Sequence, residues 1–163
     1  MKLRIAGIVN DSIVDGPGIR LTVFTQGCYH NCPGCHNLHT HDINGGYEIE
    51  VEDIYNMVKK NPLLEGITLS GGEPFLQIQP LMELVELVKA EGYNVICYTG
   101  FVWEDIVKDK DKLALAQMVD YVIDGPFVLE KKSLMLNFRG SSNQRIIDVR
   151  KSLEQGVAVA VEL

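Results

Sequence analysis

The chain has 163 residues, 46% of them apolar, and 15 basic against 22 acidic side chains give it a formal charge of −7. That length supports one domain with a sizeable core, and the acidic balance argues against a general nucleic-acid binder, whose phosphate contacts need a basic surface. No apolar run approaches the roughly 18 residues of a membrane span, and Met1-Lys2-Leu3-Arg4 is not followed by an apolar core and cleavage site, so the expectation is a cytoplasmic protein without a signal peptide. Without repeats, low-complexity tracts or a Pro/Gly/Ser-rich linker, residues 1–163 read as a single domain.

In chain order, Leu3 to Val9 predicts a short first strand. Asp15-Gly16-Pro17-Gly18 is a turn, because proline fixes φ and glycine permits positive φ. Ile19 to Thr25 is rich in β-branched and aromatic residues and predicts a strand that runs directly into a cysteine-rich loop. Glu50 to Lys60 predicts a helix with Val51, Ile54, Tyr55 and Val58 on one face. Gly66 to Ser70 reads as a short buried strand that ends at a glycine pair, Gly71-Gly72. Gln79 to Glu91 predicts an amphipathic helix, with Leu81, Leu84, Val85 and Val88 at three- and four-residue steps and Gly92 as its stop. Asn94 to Thr99 is the next strand, followed by helical segments at Trp103–Val107 and Lys112–Met118. Tyr121 to Asp124 and Gln144 to Asp148 read as strands, Val149 to Gln155 as a helix and Val157 to Val161 as a last strand.

Alternating strands and helices imply an α/β fold with a parallel sheet and crossover helices. The expected architecture is an open partial (β/α) barrel of about six mostly parallel strands, too few for a closed eight-stranded barrel. Ligands in such folds bind beyond the carboxyl ends of the strands. The cysteine loop and the glycine pair both fall there.

Cys28, Cys32 and Cys35 form a C-x3-C-x2-C pattern, and the fourth cysteine, Cys97, is far away in the apolar run Val95-Ile96-Cys97-Tyr98. Clustering of this kind favours metal binding over a disulfide framework, and Cys97 reads as a buried small hydrophobe. Closed zinc and iron–sulfur sites usually take four protein ligands. Three thiolates leave one position of an iron–sulfur cubane open to a small molecule. The alternative is a zinc site completed by one of His30, His36, His39 or His41, since thiolate and imidazole both suit zinc. Gly34, between Cys32 and Cys35, lets the backbone approach a ligand, or simply makes a Pro-Gly turn.

The cysteine triad, Gly71-Gly72-Glu73 downstream of it, Asp15-Gly16-Pro17-Gly18-Ile19-Arg20 before it and His36-Asn37 after it resemble the radical S-adenosylmethionine (SAM) superfamily, within it the glycyl-radical enzyme activases. The short length and the segment Phe138 to Arg145 resemble the activases of anaerobic ribonucleotide reductase most. The resemblance runs from about residue 15 to 148 and implies a [4Fe–4S] cluster on Cys28, Cys32 and Cys35 with SAM on its open iron. It implies SAM contacts from Gly34, Cys35, His36, Asn37, Gly71, Gly72 and Glu73, with Glu73 near the SAM ammonium. It extends the set to Thr99 and Asp124 at two further strand ends, and to Asn143 and Arg145 in a Ser-Asn-x-Arg element, where the arginine would bind the SAM carboxylate. Tyr98 stands where some activases carry an aspartate. A carboxylate such as Asp124 at a strand end also serves to cap the next helix. Asp15 and Arg20 are placed at the mouth where a partner docks. The implied target is a C-terminal glycine segment of anaerobic ribonucleoside-triphosphate reductase, the glycyl-radical subunit. Pyruvate formate-lyase is the alternative target, and a zinc-stabilised binding module is the alternative class. The chain has no room for extra clusters, so a flavodoxin or ferredoxin donor is implied, with no nucleic acid and no membrane.

Overall fold

Period-two alternation divides each strand of this chain between two different environments, and that division places the site. The computed structural model describes residues 1–30, 32–35 and 38–163. In chain order its elements are β1 (Lys2–Ser12), β2 (Arg20–Thr25), β3 (Tyr47–Glu50), α1 (Val51–Lys60), β4 (Gly66–Gly71), α2 (Ile78–Ala90), β5 (Asn94–Tyr98), α3 (Trp103–Ile106), α4 (Lys110–Ala116), β6 (Tyr121–Asp124), β7 (Arg145–Asp148), α5 (Val149–Gln155) and β8 (Ala160–Val161). Among the described residues the strands form one eight-stranded sheet in the order β3-β1-β2-β4-β5-β6-β7-β8.

The expectation of about six mostly parallel strands needs correction: the sheet is mixed. β2, β4, β5 and β6 are parallel neighbours, whereas β1, β3, β7 and β8 join antiparallel. The connections explain the difference. A parallel pairing needs a long crossover, and α1, α2 and the α3–α4 pair supply one for each parallel step. Residues 125–144 contain no α-helix among them, and the chain returns along β6 in the opposite sense, with Asp124 opposite Arg145 and Tyr121 opposite Asp148. β3, four residues long, is absent from the sequence-based expectation. It completes the edge by pairing Ile5 with Tyr47 and Lys2 with Glu50.

One face of the sheet carries the helices. Leu21, Val23, Ile67, Leu69, Val95, Cys97, Val122 and Ile147 point into a core shared with Val51, Ile54 and Val58 of α1 and Leu81, Leu84, Val85 and Val88 of α2. Each fully buried aliphatic side chain contributes about 1.5–3 kcal/mol, so these two helices are held by packing rather than by propensity. The intervening residues face the other way. On β2 and β4 these are buried and polar: Arg20, Thr22, Thr68 and Ser70. On β5, β6 and β7 they are apolar: Ile96, Ile123 and Ile146 form a smaller cluster with Tyr98, Tyr121 and Phe138. This second face holds the candidate site.

Candidate active site

The parallel strands β2, β4, β5 and β6 release the chain at the same edge, so the residues that follow them meet there. Cys28 follows β2, Gly72 follows β4, Thr99 follows β5 and Gly125 follows β6. The cysteine loop is closed at its base by two backbone hydrogen bonds, Gly27 N–H to the Thr40 carbonyl at 2.6 Å and Cys28 N–H to the His41 carbonyl at 3.2 Å. Within it, Cys35 N–H donates to the Cys32 carbonyl at 3.1 Å and closes a turn over residues 32–35. The other wall of the opening is the 125–144 connection.

A cavity of about 770 Å³ lies between these elements, within the range of small-molecule and cofactor sites. Cys28, Cys32, Cys35, Gly71, Gly72 and Thr99 all line it. Among the described residues no three His, Cys, Asp or Glu side chains gather tightly around one point. The donor set is three thiols, each partly exposed and none in a disulfide. Burial pushes the Cys28 thiol above its ordinary value, with the nearby His30 backbone amide pulling partly the other way. Three soft donors lining one cavity together with glycine backbone fit an iron–sulfur cluster that shares its site with a second ligand.

The glycine pair answers first to the protein's own backbone. Gly71 has φ of 101°, and a Cβ there would stand 2.4 Å from Thr25 N and 2.6 Å from Thr25 O. A Cβ on Gly72 would stand 2.3 Å from the Gly27 carbonyl oxygen and 3.0 Å from that of Thr40. Two hydrogen bonds draw the segments together, Gly72 N–H to Thr25 O at 2.9 Å and Glu73 N–H to Gly27 O at 2.7 Å. The strand end after β4 is thus laid directly against the base of the cysteine loop, closer than any side chain allows.

Glu73 lies behind the cavity wall, fully buried. Its Oε1 accepts from Gly100 N–H at 2.7 Å and lies 2.6 Å from His30 Nε2. Its Oε2 accepts from Phe75 N–H at 3.0 Å, and Thr99 Oγ1 lies 2.9 Å from both oxygens. His30 lines the cavity and also meets the Phe101 ring edge-on at 4.6 Å. The sequence reading treated His30 only as a possible zinc ligand; its spacing inside the loop gives no hint of a partner 43 residues away.

Asp124 and Arg145 meet each other. Asp124 is 1% exposed; its Oδ2 accepts from Trp103 N–H at 2.8 Å, at the start of α3, and from Arg145 Nη2 at 2.6 Å. Arg145 also bonds Glu104 at 2.8 Å, and these carboxylates hold its guanidinium well above its ordinary value. Asn143 donates to the Pro126 carbonyl at 2.8 Å, while its buried Oδ1 lacks a hydrogen-bond partner among the described atoms. Gly34 is exposed, and its missing Cβ leaves space beside Leu129 and Phe127. None of Gly34, Glu73, Asp124, Asn143 and Arg145 lines the cavity. His36 and Asn37 lie outside the described residues.

Arg20 is not at the mouth. It is 1% exposed and braces the lower ends of three strands, donating to Thr68 Oγ1 at 2.8 Å, the Ile67 carbonyl at 2.8 Å and Asn94 Oδ1 at 2.8 Å. Burial pulls its guanidinium down to about 10. Asp15 does line the cavity and accepts from Ser12 Oγ at 2.6 Å and Thr22 Oγ1 at 3.2 Å. Cys97 is fully buried on the helix-covered face, as the apolar run around it predicts, and burial pushes its thiol well up. The wall formed by residues 125–144 was legible only in part. Phe127, Leu134, Leu136, Phe138 and Gln144 line the cavity. Tyr98 reaches across it, donating from its hydroxyl to the Phe138 carbonyl at 2.5 Å, and Phe138 is a non-glycine residue at φ 62°. A left-handed residue of this bulk persists only where its surroundings hold it. The Tyr98 bond and the Ile96–Ile123–Ile146 cluster do so.

Comparison with known proteins agrees with this geometry. A family model described as a 4Fe-4S single cluster domain matches residues 14–147. The anaerobic ribonucleoside-triphosphate reductase-activating protein of Escherichia coli (strain K12) is 33% identical over 146 residues, covering 85% of this chain and 94% of that protein. The protein of the same name from Vibrio cholerae is 34% identical, covering 82% and 90%. The pyruvate formate-lyase-activating enzyme of Clostridium pasteurianum is 36% identical over 121 residues, covering 69% of this chain and 51% of that enzyme. Three thiols sharing a cavity with a glycine-rich strand end, in a chain matched over 85% of its length by such an activator, mean that this protein belongs to the 4Fe-4S single cluster domain family as a radical SAM activase.

Proposed function

We propose that the chain generates a glycyl radical on anaerobic ribonucleoside-triphosphate reductase, with Cys28, Cys32 and Cys35 holding the [4Fe–4S] cluster. The observation that carries this is the single cavity shared by the three cysteines and by Gly71, Gly72 and Thr99. What the bound cluster and SAM supply is one-electron cleavage of the sulfonium and removal of an α-hydrogen atom from the target glycine. The chain's own residues bind, orient and shelter. The backbone at Gly71-Gly72 and Thr99 frames SAM beside the cysteine loop, and Gly34 flanks it where the loop turns. Asp124, Arg145 and Asn143 act from behind the wall: the ion pair fixes β6 against β7, and the orphaned Asn143 oxygen offers an acceptor. Ile96, Ile123 and Ile146 leave that half of the face apolar, which would limit water in the chamber. The sheet with helices on one face only serves as an open partial barrel whose uncovered side is the reaction chamber.

The target enters at a rim of exposed aliphatic side chains. Val14 and Leu134 line the cavity and are 71% and 89% exposed, and their chain neighbours Ile13 and Met135 are exposed as well. A solvent-facing apolar rim of this kind suits a protein segment, and glycine suits the chamber because its backbone threads without a side chain. Among the described residues no helix is long and apolar enough to cross a membrane. A cytoplasmic location and a flavodoxin or ferredoxin as electron donor belong to the same proposed reading. Similarity to the Clostridium pasteurianum enzyme supports pyruvate formate-lyase as a second target.

The test is direct. Reconstituted protein, reduced and given SAM and candidate reductase, is expected to produce a glycyl radical doublet in electron paramagnetic resonance. A colourless protein holding one zinc ion overturns the reading. SAM cleavage with a radical on pyruvate formate-lyase and none on the reductase moves the assignment to the second target.

A further inference from the structure

The connection from β6 to β7 is a flap that is tied at its base and sparsely held at its tip. At the base Lys132 bridges Ser141, Ser142 N–H donates to the Lys131 carbonyl at 2.9 Å, and Ser133 N–H donates to the Gly140 carbonyl at 3.3 Å. Gln144 Oε1 accepts from Gly140 N–H at 2.8 Å, and its amide donates to the Gly125 carbonyl at 3.1 Å. The tip, residues 134–138, runs along the cavity: Leu134, Leu136 and Phe138 line it, while Leu134 and Met135 are 89% and 91% exposed. Most bonds that reach the tip lie in solvent. Met135 N–H donates to Ser133 Oγ at 3.2 Å, Arg139 Nε to the Asn137 carbonyl at 3.4 Å and Asn137 Nδ2 to the Leu163 carbonyl at 3.5 Å. Arg139 pairs with Glu162 at 2.9 Å, and at 73% exposure of Glu162 such a pair contributes little.

Phe138 is the exception. Its carbonyl accepts from the Tyr98 hydroxyl at 2.5 Å, and its side chain packs against the buried Ile96, Ile123 and Ile146. Burial pushes the Tyr98 hydroxyl up, so it stays a donor. Phe138 sits at φ 62°, a conformation that a bulky side chain keeps only while its surroundings impose it. We propose that Tyr98 is a positioning residue for the target polypeptide: its hydroxyl latches Phe138, and the latch sets the flap so that Leu134 and Met135 present an apolar edge beside the cavity. The hydroxyl is bonded to the Phe138 carbonyl, so it acts on the target through the flap. The occupant of that edge is a polypeptide segment with apolar side chains near the reacting backbone, because an exposed aliphatic edge recognises such side chains. That the partner is a polypeptide rests on the proposed function; the latch itself does not.

The test removes one oxygen atom. Tyr98→Phe keeps the ring in the apolar cluster and deletes the latch, and Glu162→Gln, at the exposed tie, is the control. Hydrogen–deuterium exchange is read over residues 132–142, and over β4 and α2 for comparison, on full chains with and without reconstitution. Tyr98→Phe is expected to exchange about tenfold faster in the flap with β4 and α2 unchanged, as loss of a local restraint predicts, and Glu162→Gln to match wild type. In the activation assay the apparent KM for the reductase is expected to rise about tenfold in Tyr98→Phe, more than any fall in kcat. A fall in kcat with KM unchanged overturns the proposal, and so does a flap that exchanges as slowly as wild type or one that loosens while KM stays put. Equal loosening in Glu162→Gln overturns it by moving the latch to the surface tie. A Tyr98→Phe chain that fails to fold, judged by circular dichroism, also overturns it, because the hydroxyl would then serve the core. A wild-type chain that forms no radical on any glycyl-radical target overturns the function reading instead, and the exchange comparison still decides the latch, so the two failures are distinguishable.

Discussion

Gly72→Ala separates two reasons for a glycine beside the cysteine loop. If the glycine serves only a ligand, the protein without cluster and SAM does not need it. The structure makes the opposite demand. The added methyl carbon would stand 2.3 Å from the Gly27 carbonyl oxygen, 2.8 Å from the Gly27 carbonyl carbon and 3.0 Å from the Thr40 oxygen. All three are backbone atoms, so no side chain can swing away. Relief requires the strand end after β4 to back off from the loop base by most of an ångström, which lengthens Gly72 N–H···Thr25 O, now 2.9 Å, and Glu73 N–H···Gly27 O, now 2.7 Å. Overpacking in a tight interior costs about 1–3 kcal/mol, and each weakened buried hydrogen bond adds about 1 kcal/mol. The expected loss is about 3–5 kcal/mol in urea unfolding of the cluster-free chain, read from the midpoint at constant m-value. Gly7→Ala is the control: a Cβ there meets nothing within 4 Å, and alanine in place of a glycine of compatible φ is neutral or stabilising by about 0.4–1 kcal/mol. A cluster-free Gly72→Ala chain as stable as wild type would refute the steric argument.

Two further outcomes follow from the same site. Cys32→Ala is expected to abolish the iron–sulfur absorbance and SAM cleavage, whereas Cys97→Ala, on the helix-covered face, retains both and loses only packing; equal loss of cluster in the two variants would show that the ligand assignment is wrong. Leu134→Glu and Met135→Glu, on the exposed rim, are expected to leave cluster content and target-free SAM cleavage within twofold of wild type and to lower the glycyl radical yield on the reductase at least tenfold, measured by spin counting. An unchanged radical yield would place the docking surface elsewhere.

Much of this protein was legible along the chain because local signals were strong. The C-x3-C-x2-C spacing, the Gly-Gly-Glu segment and the three-four periodicity of Leu81, Leu84, Val85 and Val88 each lie within a few residues, and the structure places them on the elements that the periodicity predicts. The placement of both motifs at carboxyl strand ends followed from reading them as the exits of β2 and β4. Other features were decided between distant segments. β3 is too short for its alternation to stand out, and only pairing with β1 makes it a strand. Whether β7 lies parallel or antiparallel depends on a connection without an α-helix, and no residue of β7 itself encodes that.

The sequence by itself determined which atoms can do chemistry here: three thiols in one loop, a glycine pair after a strand, and the alternating apolar residues that make two-faced strands. Only the tertiary structure decided which polar groups meet the cavity and which support it from behind. Glu73, Asp124 and Arg145 stand out in one dimension because they are charged and lie at strand ends. In three dimensions a buried charge must be compensated, and each finds its compensation within the protein, Glu73 in His30, Thr99 and two backbone N–H groups, Asp124 in Arg145 and the start of α3. Those partners lie between 21 and 43 residues away along the chain for every contact except Phe75, and such meetings are set by the packing of a sheet, which no local pattern records.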